Sequence, residues 1–455
     1  MGKIEGLNGG QEAAVRLALD GRNVFLSGGA GTGKSYATRK VCEFLRAAGK
    51  NVIVCAPTGV AAVNVGGTTI HRVCGLRPAP VVSDAFQVPE VFDAAEVVVV
   101  DEVSCARVDV FERLLGIVEK VNAGRKALHG NPAAAKRLMD AGYPVDDIQV
   151  IVVGDFCQLA PFCGKREEYE ALSLKFGPDW DGSLYAFGSP LWRRAGFEFV
   201  NLTEPMRQQD DEFVDNLNKI RFGDPAGLDW IAAHASAAPA DSAVSLCGTN
   251  AVVDATNKRE VGKLAGELLE FDATVTGRFD PKDAPSPQHL ALKVGARVMM
   301  LANDTDAGYV NGSLGTLAGF DTSYEAMWVR LDSGRLVEVE RLSTDMIEYT
   351  PVKDPRSGRV VLNERIVGTY TQFPVRPAYA ITIHKSQGMG YPAVSLKPRC
   401  WAAGQLYVAI SRVESVSGLH IQEPLDPSYL IAAPEVLEFY ASLGVGVSGS
   451  HIQTP

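Results

Sequence analysis

The stretch from Val24 to Ser35, VFLSGGAGTGKS, constrains this chain more than any other. Gly28-Gly29-Ala30-Gly31-Thr32-Gly33-Lys34-Ser35 fits the pattern G-x-x-x-x-G-K-[ST], with a short apolar run before it and a segment of helical periodicity after it. That order predicts a buried strand, a phosphate loop and a helix. Glycines there let backbone N–H groups turn inward around phosphate oxygens, and the helix behind them points its positive end at the same anion. Lys34 supplies a mobile charge for the β- and γ-phosphates, and the Ser35 hydroxyl can ligate Mg²⁺. A chance glycine-rich turn would not require all eight positions in this context.

A length of 455 residues points to about three domains, and 46% apolar residues can build ordinary cores. No apolar run approaches the roughly 20 residues of a membrane span. The N-terminal MGKIEGLNGGQ lacks the apolar core of a signal peptide, so an intracellular, cytoplasmic protein with no membrane partner is expected. Cysteines stand singly at 42, 55, 74, 105, 157, 163, 247 and 400, with no C-x-x-C and no histidines at zinc spacing, which predicts buried free thiols. The net charge of −10 argues against a surface coated in positive charge for DNA adhesion but leaves room for a local basic groove.

Upstream of the loop, LNGGQ leads into a helical pattern through Ala13, Val15, Leu17 and Leu19. The Gln11 amide both donates and accepts, so it can pair with the N6/N7 edge of adenine; its place beside a phosphate loop favours this over a plain surface glutamine. Downstream, the buried strand Asn51 to Ala56 ends in Pro57-Thr58-Gly59, and GGTTIH follows through His71. Thr58 and His71 at such a strand end can hold a nucleic-acid backbone, or Thr58 and Thr69 can simply cap helices. The proline-rich segment 75–92 can form a protruding hairpin with Phe86 near its tip, or an ordinary loop.

Four valines, Val97 to Val100, deliver Asp101-Glu102. A buried strand ending in an acidic pair suits Asp101 holding Mg²⁺ through water and Glu102 taking the proton from the attacking water. Strand Gln149 to Val153 ends in GDFCQLAP, whose Gln158 can sense the γ-phosphate or orient the hydrolytic water. After the strand-like Phe197 to Leu202 comes TEPMRQ, whose Arg207 can act as a charge-stabilising finger or as a salt-bridged surface arginine.

A second unit begins near Phe213 with a strand at Ala243 to Leu246, and DPKDAPSPQ at 280–288 has a linker's composition. From Ala291 to about Gln372, short β runs separated by turns such as Asn311-Gly312 predict a small inserted barrel. The chain returns with AYAITIHKSQG and GQLYVAISR, where polar groups again follow apolar patterns. A second constellation of this kind makes sense if a second sheet closes over the nucleotide held by the first.

With these residues in order from 7 to 412, the chain resembles superfamily 1 helicases of the 5′-to-3′ branch, closest to the Pif type and similar to the RecD and Dda helicases. The matching segments are LNGGQ, GGAGTGKS, APTGVAAVNVGGTTIH, DEVS, GDFCQLAP, LTEPMRQ, LKVGARVMMLAND with VNGSLG, AYAITIHKSQG and GQLYVAISR. The resemblance implies an α/β fold of two tandem RecA-like P-loop domains with parallel sheets, plus an inserted small SH3-like β-barrel. Domain 1A would span 1–195 with a pin at 75–92, domain 2A would span 196–280 and 373–443, the barrel (2B) would span 281–372, and 444–455 would be a tail.

It also implies ATP and Mg²⁺ as cofactors. Gln11, Gly28, Gly29, Ala30, Gly31, Thr32, Gly33, Lys34, Ser35 and Gln387 would hold the nucleotide, with Ser35 and Asp101 on the metal. Lys34, Glu102, Gln158, Arg207 and Arg412 would be catalytic, the two arginines reaching the phosphate from the second domain, and Gln387 would couple the site to DNA. Thr58, His71, His384 and Lys385 would face DNA, with Phe86 as a strand-separating pin. Implied partners are single-stranded and forked DNA and a single-stranded-DNA-binding protein, met by a monomer of a bacterium or phage. Residues 122–147 and 163–195 match no motif. A translocase that does not unwind, a P-loop kinase or metabolic NTPase, and an ATP-dependent scaffold stay open as alternatives, the last disfavoured by Glu102 and the two arginines.

Overall fold

The computed structural model describes residues 4–446 apart from 78, 179, 209, 305, 322 and 324. Its first sheet is built from β1 (Val24–Gly28), β2 (Val52–Ala56), β3 (Thr68–Thr69), β4 (Val97–Val100), β5 (Gln149–Val153) and β6 (Glu198–Leu202). They lie in the order β3-β2-β4-β5-β1-β6, and every pairing is parallel. Runs such as VVVV in β4 and VIVCA in β2 are buried throughout, as expected of strands covered on both faces. One face packs on Phe92, Phe111, Phe156 and Trp192; the other lies under helices α1 (Gly9–Leu19) and α2 (Lys34–Ala47) through Val15, Val41 and Leu45.

The expected start of the second unit at 196 is corrected by β6, which pairs with β1 from Val24–Glu198 to Gly28–Leu202. The chain therefore leaves the first sheet only after Leu202. The second sheet is parallel and four-stranded, in the order Ala380–Thr382, Val244–Cys247, Val394–Leu396, Leu419–Ile421. Helix Asp211–Arg221 packs on it through Phe213, Leu217 and Ile220.

The inserted region is antiparallel and runs from Leu269 to Pro377, wider than 281–372. Strand Leu269–Asp272 pairs with His289–Leu292 across the linker-like piece, and Val375–Pro377 pairs with Arg297–Met300 in a five-stranded sheet. Among the described residues no strand pairing joins that sheet's edge strands, Leu336–Val339 and Val375–Pro377. Beside it, Leu342–Lys353 and Val360–Gln372 form a long hairpin.

Two late segments return to the first sheet. The hairpin seats Tyr349 in the first core, where its hydroxyl accepts from Val54 N–H at 3.2 Å, and Asn51 Nδ2 donates to the Val360 carbonyl at 2.8 Å. The helix Pro434–Ser442, expected with the second unit, also lies in the first core through Val436 and Tyr440. Of the motif-free stretches, 122–147 completes helix Val108–Ala127 and adds helix Pro132–Ala141, while 163–195 contains helices Arg166–Phe176 and Pro190–Ala195. The cysteines are free thiols, six of the eight buried. No helix among the described residues is long and apolar enough to cross a membrane.

Candidate nucleotide site and strand-facing loops

β1 runs buried to Gly28 and hands the chain to the glycine loop, whose close quarters admit no side chain at two positions. Gly31 and Gly33 have φ of +79° and +82°, and a Cβ there would come to 2.7 Å from Gln208 Oε1 and from Gln11 Nε2 respectively. Gln11 is fixed by a capping box with Asn8, its Oε1 accepting from Asn8 N–H at 3.2 Å. Its Nε2 is buried over Gly33 and has no partner among the described residues. A buried amide left unpaired costs roughly 1–3 kcal/mol, so this donor is built for a ligand.

Lys34 Nζ donates to the carbonyls of Gly28 and Gly29 at 2.9 and 3.0 Å, and burial lowers its pKa against the opposing pull of Asp155 and Glu102. Asp101 is buried at the end of β4, where burial and then Glu102 raise its carboxyl. Glu102 takes φ +51°, a left-handed backbone costing on the order of 1 kcal/mol for a non-glycine residue. That turn carries its carboxylate off the strand axis to Gln387, whose Nε2 lies 3.0 Å from Glu102 Oε2 and 3.1 Å from Gln158 Oε1. Three residues predicted separately thus meet: Glu102 and Gln158 from the first sheet and Gln387 from the second. Burial raises the Glu102 pKa, while Lys34, Arg412 and the Gln387 hydrogen bond hold it down.

Arg412 is 2% exposed and has no carboxylate partner among the described residues. Its guanidinium donates to the carbonyls of Val408, Ser386 and Met389 and to Ser411 Oγ. Burial, then the like charge of Arg207, pushes it down to about 9. Arg207 reaches from the other side: the resemblance puts it in the second domain, yet it follows β6, and neighbouring Met206 N–H bonds the Gly31 carbonyl at 2.8 Å. It donates across to the carbonyls of Gly388 and Ser411 at 2.8 and 3.3 Å. Lys34, Arg207 and Arg412 are therefore three cations that converge on carbonyls, an arrangement completed by a polyanion. A cleft of about 300 Å³ opens beside the loop, with Gly29, Ala30 and Thr32 on one wall and Asn218, Lys219 and Tyr407 on the other.

The donor set fits Mg²⁺ on a nucleotide. Asp101 offers a carboxylate, Ser35 an exposed hydroxyl, and both are oxygen donors of the kind this ion takes in small number beside phosphate and water.

Behind the loop the sequence reading missed a second network. Asp155 and Arg221, 0% and 4% exposed at their side chains, pair at 2.9 Å. Tyr440 Oη lies 3.2 Å from Asp155 Oδ1 and 2.7 Å from Ser27 Oγ, and accepts from Phe156 N–H at 3.1 Å. Tyr407, on helix Gln405–Ile410, accepts from Ala30 N–H at 2.7 Å. Asp155 and Tyr407 lie inside the motifs GDFCQLAP and GQLYVAISR; Arg221 and Tyr440 carry no local signal in the sequence.

The proposed DNA-facing residues are placed less tightly. Thr58 caps helix Gly59–Asn64, its Oγ1 accepting from Ala61 N–H at 3.3 Å, and His71 is half-buried on the short helix Ile70–Val73. His384 and Lys385 are exposed after strand Ala380–Thr382. Among the described residues no hydrogen bond or ion pair joins the first two to the last two. Phe86 is not a projecting pin: Arg113 and Lys120 lie over its ring at 4.6 and 5.1 Å, and it packs at Gly116 on helix Val108–Ala127. The described part of 75–92 contains no strand, since its backbone is tied down instead, Val81 N–H donating to buried Asp109 at 2.7 Å.

Known proteins resemble this chain over nearly its whole length. Residues 7–226 match the PIF1-like helicase family and 282–320 match the 2B domain of DNA helicase Pif1. The mouse ATP-dependent DNA helicase PIF1 is 31% identical over 96% of this chain, which spans only 63% of that protein's length. The Bdellovibrio bacteriovorus ATP-dependent DNA helicase Pif1 is 30% identical, with 94% of this chain and 90% of the relative covered. The crystal structure of Bacteroides sp Pif1 in complex with ADP-AlF4 superposes with a TM-score of 0.81 at 28% identity, covering 97% of this chain and 98% of that one. With its nucleotide loop, acidic pair and second-sheet motifs arranged as above, the chain belongs to the PIF1-like helicase family.

Proposed function

We propose that this chain is an ATP-dependent DNA helicase that moves 5′ to 3′ on single-stranded DNA and opens duplexes at a fork. The observation that carries the reading is the Gln387 bridge to Glu102 and Gln158, because it ties the hydrolytic residues of one sheet to a loop of the other. Lys34, Arg207 and Arg412 bind and orient the phosphates, Gln11 holds the base, and Glu102 takes the proton of the attacking water while Gln158 positions it. Mg²⁺ on Asp101 and Ser35 would neutralise phosphate charge. When phosphate contacts replace the carbonyl contacts of Arg207 and Arg412, the cleft closes; losing them reopens it. Thr58, His71, His384 and Lys385 face the strand, grip alternating between the units. The units are RecA-like domains 1A and 2A with the antiparallel region as an SH3-like 2B. The names of the mouse and Bdellovibrio relatives and the nucleotide analogue in the Bacteroides complex support this assignment.

Lys34→Ala is expected to abolish DNA-stimulated ATP hydrolysis, and the wild type to unwind duplexes with a 5′ single-stranded tail and leave 3′-tailed ones closed. Hydrolysis indifferent to DNA would instead favour a simple NTPase, and stepping without strand release a translocase.

A further inference from the structure

Strands Ala380–Thr382, Val244–Cys247 and Val394–Leu396 lie side by side and parallel, so the loops leaving their C-terminal ends share one edge of the second sheet. Those loops carry His384-Lys385, Gly248-Thr249 and Lys397 to Trp401. Such an edge is where open α/β sheets take ligands. Trp401 is 56% exposed there, although a large aromatic ring is ordinarily mostly buried.

Its exposure is built in. Cys400 beside it is buried in the second core, and Trp401 N–H donates to Gln405 Oε1 at 2.9 Å, so the backbone is held while the indole stays outside. The indole edge is backed by Gly248, where an added Cβ would come to 3.5 Å from Trp401 Nε1. The ring lies within 27° of parallel to that of His384, with centroids 6.4 Å apart. Among the described residues Lys385 and Lys397 form no salt bridge, whereas nearby Arg399 is tied to Glu423 at 2.8 Å. Two aromatic faces, on loops that also carry two ammonium groups outside any salt bridge among the described residues, match the chemistry of an unpaired nucleotide. A duplex offers no such face, because each base is covered by its neighbours.

We propose that Trp401 and His384 form a stacking platform for a base of single-stranded DNA, with Lys385 and Lys397 taking the adjacent phosphates. The inference rests on the helicase reading and adds to it a sequence-tolerant grip on the base.

The test uses the full chain with oligothymidylate and with a strand of equal length lacking bases. Trp401→Ala is expected to weaken oligothymidylate binding about tenfold while leaving the slope of log Kd against log salt unchanged. Lys385→Ala is expected to weaken binding too, but through the phosphates, reducing that slope by about 0.7; a slope left unchanged would remove Lys385 from the platform. The wild type should bind the abasic strand about as weakly as Trp401→Ala binds oligothymidylate, with no further loss for the variant on the abasic strand. Trp401→Phe, which keeps a ring, should retain most of the affinity and so excludes misfolding as the cause. The platform is overturned if Trp401→Ala binds oligothymidylate as tightly as wild type, or loses equally on the abasic strand. A wild type that binds no single strand at all removes the helicase reading beneath it.

Discussion

The front and the back of the phosphate loop are both buried and both crowded with charge, yet they solve opposite problems. Behind the loop every charged group has its partner: Arg221 pairs with Asp155, and Tyr440 ties that pair to Ser27 and the Phe156 amide. In front, Lys34 and Arg412 rest on carbonyls, and Gln11 Nε2 rests on nothing in the described chain. A buried charge without a counter-charge is costly unless a ligand completes it. The comparison therefore separates a scaffold, which is complete in the protein alone, from a site, which is complete only when an anion enters.

The largest test of that division is Arg412→Ala. In the proposed function Arg412 meets the phosphates, so its removal is expected to slow hydrolysis about 10³-fold or more. Stability without nucleotide should move by only about 1–3 kcal/mol, because the hydrogen bonds to carbonyls and a hydroxyl are lost together with a buried charge that has no counter-charge. Urea unfolding and steady-state ATPase rates read the two quantities, and a large stability loss would place Arg412 with the scaffold. Arg221→Ala is the mirror image. It strands a buried Asp155 carboxylate and is expected to cost about 3–5 kcal/mol in the same unfolding experiment. A variant that unfolds at wild-type urea but hydrolyses slowly would place Arg221 with the site instead.

Acid sharpens it next. Asp101 and Glu102 are raised by burial, so between the ordinary carboxylate range near about 4 and their raised folded values the folded protein holds more protons than the unfolded chain. Stability of the nucleotide-free protein should therefore fall as pH rises through that window, by at most about 1.4 kcal/mol per pH unit for each group. Glu102→Gln should flatten the slope. A slope that survives Glu102→Gln and Asp101→Asn together would place the titrating group outside the front of the loop.

Much of the front was legible in sequence because each part announces itself locally: the glycine loop, the valine run that delivers Asp101 and Glu102, the polar turn after β5 that delivers Gln158. Their convergence followed from a general property of parallel sheets, whose ligand groups gather at one edge. The back was not legible, because its contacts join residues far apart with no local pattern, Asp155 with Arg221 and Ser27 with Tyr440. β6 was assigned to the wrong unit for a related reason: an edge strand with half-buried positions at Glu198, Phe199 and Asn201 reads the same whichever sheet it joins. Phe86 misled because an aromatic ring in a proline-rich segment looks exposed until the cations of a neighbouring helix are in place to cover it.

The smallest expected effect is the most discriminating. Tyr440→Phe keeps the ring that packs beside Phe439 and under the Arg221 guanidinium, and removes one oxygen. That oxygen serves the Phe156 amide, Ser27 Oγ and Asp155 Oδ1, so its loss leaves buried polar atoms unpaired at a cost of about 1–2 kcal/mol. Because Ser27 immediately precedes the loop while the loop's own geometry is set by its glycines and by Tyr407 at Ala30, the kcat for ATP should stay within about twofold of wild type. Stability lost with kcat kept would place the network behind the loop as scaffold. A kcat that fell severalfold at unchanged stability would mean instead that the helix Pro434–Ser442 acts on hydrolysis through Ser27, and that front and back are one machine.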